Sequence, residues 1–274
     1  MAHADIMPPA RAVASLRRVI VGFAGSGNMS AGMARGWAAE DDGPVRMLFT
    51  DSGSGRAGEL AALVGGEAVG SNAELAERCD LLVLGVKPKQ LKDVAAEAGK
   101  APAVLSMLGA TPVAQVAEAF PGSDATRVMP NLGVQMRRGV MCFSAAPGVT
   151  EESAGRVLDL LRLLGRVEEM DDGQIDGATA VMGCTPAYLA LVAEAVAEAG
   201  AKDGLDAALA RSLMNDTMAA TAELLREYEP AALRQAVASP GGSTEAGLDA
   251  LEEHNVRDAF TAAVEASLKR MRGG

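Results

Sequence analysis

Three short stretches hold the residues whose types and spacing could do chemistry. The first is Val237-Ala238-Ser239-Pro240-Gly241-Gly242-Ser243-Thr244, which runs straight into Glu245-Ala246-Gly247-Leu248. It reads as a glycine-rich turn that opens a helix. Such a turn leaves backbone N–H groups free at the positive end of the helix, where a carboxylate or another anion binds. Ser243 and Thr244 place hydroxyls within reach of the same ligand, so the local chemistry is an anion pocket with a proton donor. A plain helix N-cap by Ser243 or Thr244 would satisfy the same pattern.

The second stretch is Gly22-Phe23-Ala24-Gly25-Ser26-Gly27-Asn28-Met29-Ser30. Gly25-x-Gly27-x-x-Ser30 is a dinucleotide-binding fingerprint whose third glycine is replaced by another small residue. Gly25 permits the tight turn, Gly27 lets a pyrophosphate approach the backbone, and the helix N-terminus receives its charge. The spacing alone is a weak signal. Its place is a stronger one, because it follows the first predicted strand, opens a helix and begins an alternating domain. The third stretch, Phe49-Thr50-Asp51, ends the second predicted strand. A carboxylate there accepts a hydrogen bond from the ribose 2′-hydroxyl and repels a 2′-phosphate, so Asp51 favours NADH. Ser52, Ser54 and Arg56 follow at once and argue the other way, since they could hold a phosphate.

Other chemistries find little support. The two histidines, His3 and His254, cannot build a Ser-His-Asp arrangement or a histidine metal site, and no metal is expected. His254 reads as a surface or capping residue at a helix break. Tyr188 reads as a packed aromatic with its hydroxyl at a rim, Cys184 as a buried structural thiol, and Lys87, before Pro88, as a cofactor-rim residue rather than a Schiff-base lysine. Glu151, Glu152, Glu252 and Glu253 read as complements to helix dipoles or as solvated faces.

The chain's 274 residues suggest about two domains, and 49 % apolar residues can bury a sizeable core. Aromatics are only 3 %, so that core is built from Ala, Val, Leu and Met. A net charge of −11 without a basic run excludes nucleic acid as an expected partner. Cys79, Cys142 and Cys184 show neither metal-ligand spacing nor an even disulfide framework, and read as reduced thiols of a cytoplasmic protein. No apolar run is expected to reach the roughly 18 residues that span a bilayer. Residues 1–18 carry Pro8-Pro9 and scattered arginines without an apolar segment, and read as a flexible extension rather than a secretory signal.

Two regions with different periods must position these residues. From Val19 to Met170 short apolar runs alternate with helical patterns. Strands are expected at Val19–Ala24, Arg46–Asp51, Leu81–Val86, Val104–Leu108, Arg127–Met129, Met141–Ser144 and Arg166–Met170. Helices are expected near Asn28–Glu40, Gly55–Val64, Thr111–Phe120 and Thr150–Leu164. That alternation implies a mostly parallel sheet covered on both faces. From Ile175 to Arg272 the period is helical, with breaks near Gly200 and Gly204, at Pro230, at Ser239–Gly242 and at Glu253-His254-Asn255, giving about five helices. The expected organisation is a Rossmann-type α/β dinucleotide-binding domain over residues 19–170, followed by an all-α domain over residues 171–274.

Five segments, in order, resemble the pyrroline-5-carboxylate reductases: Gly22–Met29 with its Gly-Asn-Met, Leu84-Gly85-Val86-Lys87-Pro88, Arg127-Val128-Met129-Pro130-Asn131, Thr179-Ala180 through Pro186-Ala187-Tyr188, and Ser239-Pro240-Gly241-Gly242-Ser243-Thr244 with Ala246-Gly247-Leu248. The last is the most specific. The resemblance implies NAD(P)H-dependent reduction of the C=N bond of 1-pyrroline-5-carboxylate to L-proline, by a homodimer joined through its helical domains and often assembled into a decamer. Its cofactor-binding residues would be Gly25, Ser26, Gly27, Asn28, Met29, Asp51, Ser52, Asn72, Val86, Lys87 and Pro88. Ser239, Gly241, Gly242, Ser243 and Thr244 would bind a small cyclic imine bearing a carboxylate, with Thr244 and the matched carboxylate Glu227 in the catalytic set. Met182-Gly183-Cys184-Thr185, Gly133, Leu108-Gly109 and Asp51-Ser52 depart from the family's usual residues. The first of these leaves two further readings open, a reductase of a related cyclic imine and a nucleotide-binding homologue without turnover.

Overall fold

The structure, a computed structural model, describes residues 19–39 and 46–272. The expected extension at residues 1–18 lies outside them. The chain divides into two compact units, one reaching Gly183 and joined by the chain end from Arg270, the other Cys184–Lys269. The division falls one helix beyond the boundary expected at 170/171.

The first unit holds an eight-stranded sheet. Its strands are β1 (Ile20–Ala24), β2 (Arg46–Thr50), β3 (Glu67–Ala68), β4 (Leu81–Leu84), β5 (Ala103–Ser106), β6 (Asp124–Pro130), β7 (Gly139–Ala145) and β8 (Gly165–Glu169). Their order is β3-β2-β1-β4-β5-β6-β7-β8, parallel throughout except where β7 runs against β6. The helices between them are α1 (Asn28–Ala38), α2 (Arg56–Val64), α3 (Asn72–Arg78), α4 (Leu91–Ala98), α5 (Val113–Ala119), α6 (Glu151–Arg162) and α7 (Asp172–Met182). Strand alternation sends side chains to opposite faces. Phe23, Phe49 and Leu105 enter a core with Trp37, Leu160 and Leu161, while Ala24, Leu48 and Leu82 enter a second core with Leu75, Val94 and Phe120. Trp37 donates its indole N–H to the Leu160 carbonyl at 2.8 Å, which ties α1 to α6.

The mostly parallel sheet covered by helices is as the alternation implies. The sequence reading missed β3, which is two residues long, and the seven- and eight-residue helices α3 and α4. β3 is too short to show alternation, and α3 and α4, at about two turns each, fall below the window over which a helical pattern stands out. α7 stays with the sheet because Arg127 of β6, 3 % exposed, pairs with Asp172 at 3.1 Å and Asp176 at 2.8 Å. Asp172 also accepts the Val113 N–H at 3.1 Å.

The second unit consists of α8 (Thr185–Lys202), α9 (Ala207–Leu224), α10 (Pro230–Val237), α11 (Ser243–Glu253) and α12 (Val256–Met271), the last of which runs two residues past its end. The breaks fall where expected. Asp206 caps α9 by accepting from Ala208 and Leu209, Pro230 opens α10, and Asn255, at φ +55°, separates α11 from α12. Tyr188 packs as expected, its hydroxyl 2.7 Å from Ser267 Oγ. Among the described residues of this unit only Ala197 and Ala210 are buried, whereas Leu189, Leu191, Leu209, Leu213 and Phe260 are exposed.

One expectation is corrected. The stretch Asp172–Lys202, formed by α7, α8 and the bend between them, holds an 18-residue window of mean hydropathy near 1.5, enough by length and composition to cross a bilayer, and only 11 % of that window is buried within the chain. Many small alanines, with valines and leucines scattered among glycines and polar residues, carry the hydropathy, so no unbroken apolar run marks the stretch.

Candidate functional site

β1 lies between β2 and β4, so the crevice beyond their carboxyl ends is where an α/β sheet takes a dinucleotide. A cavity of about 460 Å³ lies there. Gly25, at φ +95°, makes the turn after β1, and its N–H donates to the Thr50 carbonyl at 3.2 Å. A Cβ on Gly25 would meet the Gly85 carbonyl oxygen at 2.8 Å. Gly27 differs. Its φ of −76° suits any residue, and a Cβ there would approach nothing closer than 3.9 Å. The fold does not demand glycine at this place, but a group lying against the backbone would. Gly27 is also the N-cap of α1, which no side chain caps. An open helix end beneath an uncrowded glycine, on a cavity wall, fits a pyrophosphate.

Asp51 occupies the far side of the cavity. Its Oδ1 accepts the N–H groups of Gly53 at 2.7 Å and Ser54 at 3.0 Å, and its Oδ2 accepts the Ala57 N–H at 2.7 Å. The Ala57 bond is the leading reason its carboxyl titrates below the ordinary range. Ser52, Ser54 and Arg56 also line the wall. Nearby, Thr50 donates its hydroxyl to Asn72 Oδ1 at 2.7 Å, and Asn72 donates Nδ2 to Glu97 at 2.7 Å.

Ser30 makes a test of the packing beneath the turn. Its hydroxyl is fully buried without a hydrogen-bond partner among the described residues. A Cβ on Gly85 would fall inside contact distance of Ser30 Oγ and 3.0 Å from the Gly25 carbonyl oxygen. Gly85→Ala is therefore expected to cost about 1–3 kcal/mol and to lower Tm. Ser30→Ala removes an unpaired hydroxyl and is expected to leave stability unchanged or raise it by about 1 kcal/mol. Thermal unfolding of both variants decides, and a lower Tm for Ser30→Ala would show that the hydroxyl is satisfied.

In the second unit, Ser239–Gly242 forms a turn closed by the Gly242 N–H on the Ser239 carbonyl at 2.9 Å. Pro240 and Gly241, the latter at φ +70°, occupy the two central positions, as a type II turn requires. A Cβ on Gly242 would meet Ser239 Oγ at 2.7 Å. α11 begins behind this turn, with no side chain capping it. The Gly241 N–H is taken by Glu245 at 2.7 Å. The N–H groups of Ser243 and Thr244, in the first turn, have no acceptor within the helix. Both hydroxyls are exposed and bonded to no described residue.

Two family profiles match the chain. One, described as pyrroline-5-carboxylate reductase dimerisation, covers residues 172–273. The other, described as NADP oxidoreductase coenzyme F420-dependent, covers residues 20–108. The chain is 33 % identical over 256 residues to the pyrroline-5-carboxylate reductase of Corynebacterium melassecola, covering 90 % of this chain and 95 % of that one. The chain belongs to the pyrroline-5-carboxylate reductase family. Among solved structures, the 1-pyrroline-5-carboxylate reductase of Streptococcus pyogenes aligns with TM-score 0.87 at 27 % identity, over 94 % of this chain and 100 % of that one. The Plasmodium falciparum pyrroline carboxylate reductase, solved with NADP bound, aligns with TM-score 0.83 at 25 % identity, over 94 % and 98 %.

Against this family background, the cavity gathers Gly25, Ser26, Gly27, Asp51, Ser52, Asn72, Val86 and Lys87 of the expected cofactor residues. Three stand apart from its lining. Asn28 is exposed at the start of α1, Met29 packs against the core, and Pro88 opens a short 3-10 turn. Glu227 lies exposed in the turn before α10, and among the described residues no hydrogen bond or ion pair joins it to the Ser239–Thr244 turn. Cys184, expected to be buried, is half-buried. The sequence reading missed Gln90, Asp93, Val94 and Glu97, which line the cavity from α4 and the turn before it. Lys87 followed by Pro88 was the one signal that a helix starts there.

Proposed function

We propose that this chain reduces 1-pyrroline-5-carboxylate to L-proline with NADH as the preferred reductant. The observation that carries the reading is the Ser239–Gly242 turn, which opens an uncapped helix flanked by two unengaged hydroxyls, in a chain of this family. Gly25, Ser26, Gly27 and the open end of α1 hold the pyrophosphate, and Val86 and Lys87 line the same cavity. When bound, the nicotinamide supplies the hydride for the C=N carbon. The N–H groups of Ser243 and Thr244 hold the substrate carboxylate. That contact fixes the ring, and positioning supplies most of the rate. The Thr244 hydroxyl hydrogen-bonds the ring nitrogen, where electron density collects. A threonine is too weak an acid to donate outright at neutral pH, so it orients a protonated iminium or relays a proton through water.

The preference for NADH rests on Asp51. Its carboxylate already fills the N–H groups of its own loop, which leaves a 2′-phosphate facing a negative charge with few donors. The exposed apolar residues of α8–α12 and the match to a dimerisation domain support a homodimer formed through the helical unit, which would cover the Asp172–Lys202 stretch.

The test is oxidation of NADH and of NADPH, followed by absorbance, with 1-pyrroline-5-carboxylate and with its six-membered analogue. Turnover that prefers the five-membered ring is the expected result. Preference for the larger ring would move the substrate, in keeping with the altered Met182–Thr185 segment. Binding of NADH without oxidation across the imines would leave a nucleotide-binding homologue.

A further inference from the structure

We propose that Glu97 is a positioning residue for the cofactor, acting through Asn72. This rests on the reading of the first unit's cavity as a dinucleotide site, though not on the identity of the imine. Three elements meet at Asn72. Thr50, 5 % exposed at the end of β2, donates its hydroxyl to Asn72 Oδ1 at 2.7 Å. Glu97, reaching over from α4, accepts the Asn72 backbone N–H through Oε1 at 3.0 Å and the Asn72 amide through Oε2 at 2.7 Å.

Each bond has a separate consequence. Asn72 is the first residue of α3, and Ser71, its N-cap, accepts the Glu74 N–H at 3.1 Å. The Asn72 N–H is one of the donors that the helix itself cannot satisfy, so Glu97 completes the cap from another element. The second bond fixes the amide. With Oδ1 turned to a hydroxyl donor and Nδ2 turned to a carboxylate, only one flip of the side chain satisfies both neighbours. One amide N–H and one lone pair remain. Asn72 and Glu97 both line the cavity. The amide can therefore offer one donor and one acceptor to the part of a dinucleotide that lies near Asp51. Apart from the 2′ position that Asp51 reads, the adenosine half is common to NADH and NADPH, so an amide that contacts the rest of it acts on both alike.

Glutamine at this place can accept from only one of the two N–H groups, because its own NH₂ faces the other. Alanine loses both. The expected order of cofactor affinity is wild type, then Glu97→Gln, then Glu97→Ala. Binding is followed through the fluorescence of NADH and NADPH, without any imine. Glu97→Ala is expected to raise both dissociation constants about 3- to 10-fold, the scale of one or two solvent-accessible hydrogen bonds. Glu97→Gln should fall between. The ratio of the two constants should stay within about twofold, as should kcat at saturating cofactor. In an Asn72→Ala background, which keeps only the backbone bond to Glu97, the effect of Glu97→Ala should shrink to about twofold or less.

Unchanged dissociation constants with a lowered Tm would overturn the proposal and leave Glu97 as a helix cap alone. A loss that persists undiminished in the Asn72→Ala background would also overturn it, since Glu97 would then act directly. A wild-type chain that binds neither nucleotide would defeat the reading of the cavity itself. A wild-type chain that binds NADH and reduces no imine would defeat only the substrate assignment, with the comparison at Glu97 still decisive.

Discussion

Thr244→Ala is expected to lower kcat roughly 10- to 100-fold while leaving the dissociation constant for NADH unchanged. The reason lies in where Thr244 stands. It is in the first turn of α11, behind the Ser239–Gly242 turn, with its hydroxyl exposed and engaged by no described residue. A threonine that served only to cap the helix would accept a backbone N–H, and α11 has no side-chain cap. The hydroxyl is thus unspent in the folded chain and available to a ligand. Loss of one positioned group in the transition state corresponds to about 1.4–2.7 kcal/mol, which is that range of rates. Thr244→Ser keeps the hydroxyl and should recover most of kcat. Steady-state kinetics of the two variants decide. A Thr244→Ala enzyme with unaltered kcat would remove the hydroxyl from the mechanism and leave carboxylate binding to the backbone of Ser243 and Thr244.

The two turns were legible in the sequence because each is spelled by residues with few other uses. Pro240-Gly241 specifies a type II turn, and Gly25 specifies a positive φ, so residue type and backbone conformation coincide. Gly27 was legible only from its place two residues after Gly25, because its backbone angle needs no glycine and its neighbours leave room. What was not legible is tertiary in origin. Glu97 belongs to a short helix, and its partner Asn72 to a shorter one, and neither carries a signal of the other. The same holds for Arg127, whose pairing with Asp172 and Asp176 keeps α7 on the sheet although α7 follows the expected domain boundary. Asp51 was read as a cofactor residue, but its three backbone bonds could not be foreseen from spacing to the glycines.

Those three bonds lead to the other large effect. Asp51→Ala is expected to raise the ratio of kcat/KM for NADPH to that for NADH by about 10-fold or more. A carboxylate accepts roughly four hydrogen bonds, and Asp51 already takes three, from Gly53, Ser54 and Ala57. Gly53, at φ +89°, and Gly55, at φ +81°, curl the loop so that its N–H groups converge on one anion, which the chain supplies itself. A 2′-phosphate placed there meets an ionised group, held in that form by the same bonds, and finds the donors occupied. Removing the carboxylate frees the N–H groups, leaves Ser52, Ser54 and Arg56 on the wall, and deletes the repulsion. Two changes then act together, and both favour the phosphate. The loop also loses its internal tie, which should weaken NADH somewhat and enlarge the ratio. Adding Arg56→Ala to Asp51→Ala should reverse most of the gain, because the guanidinium is then the main countercharge. Kinetics with both cofactors on the single and double variants measure this. A ratio that does not move on Asp51→Ala would mean that the loop folds its anion site away from the ribose, and selection between the cofactors would then fall to Arg56 alone.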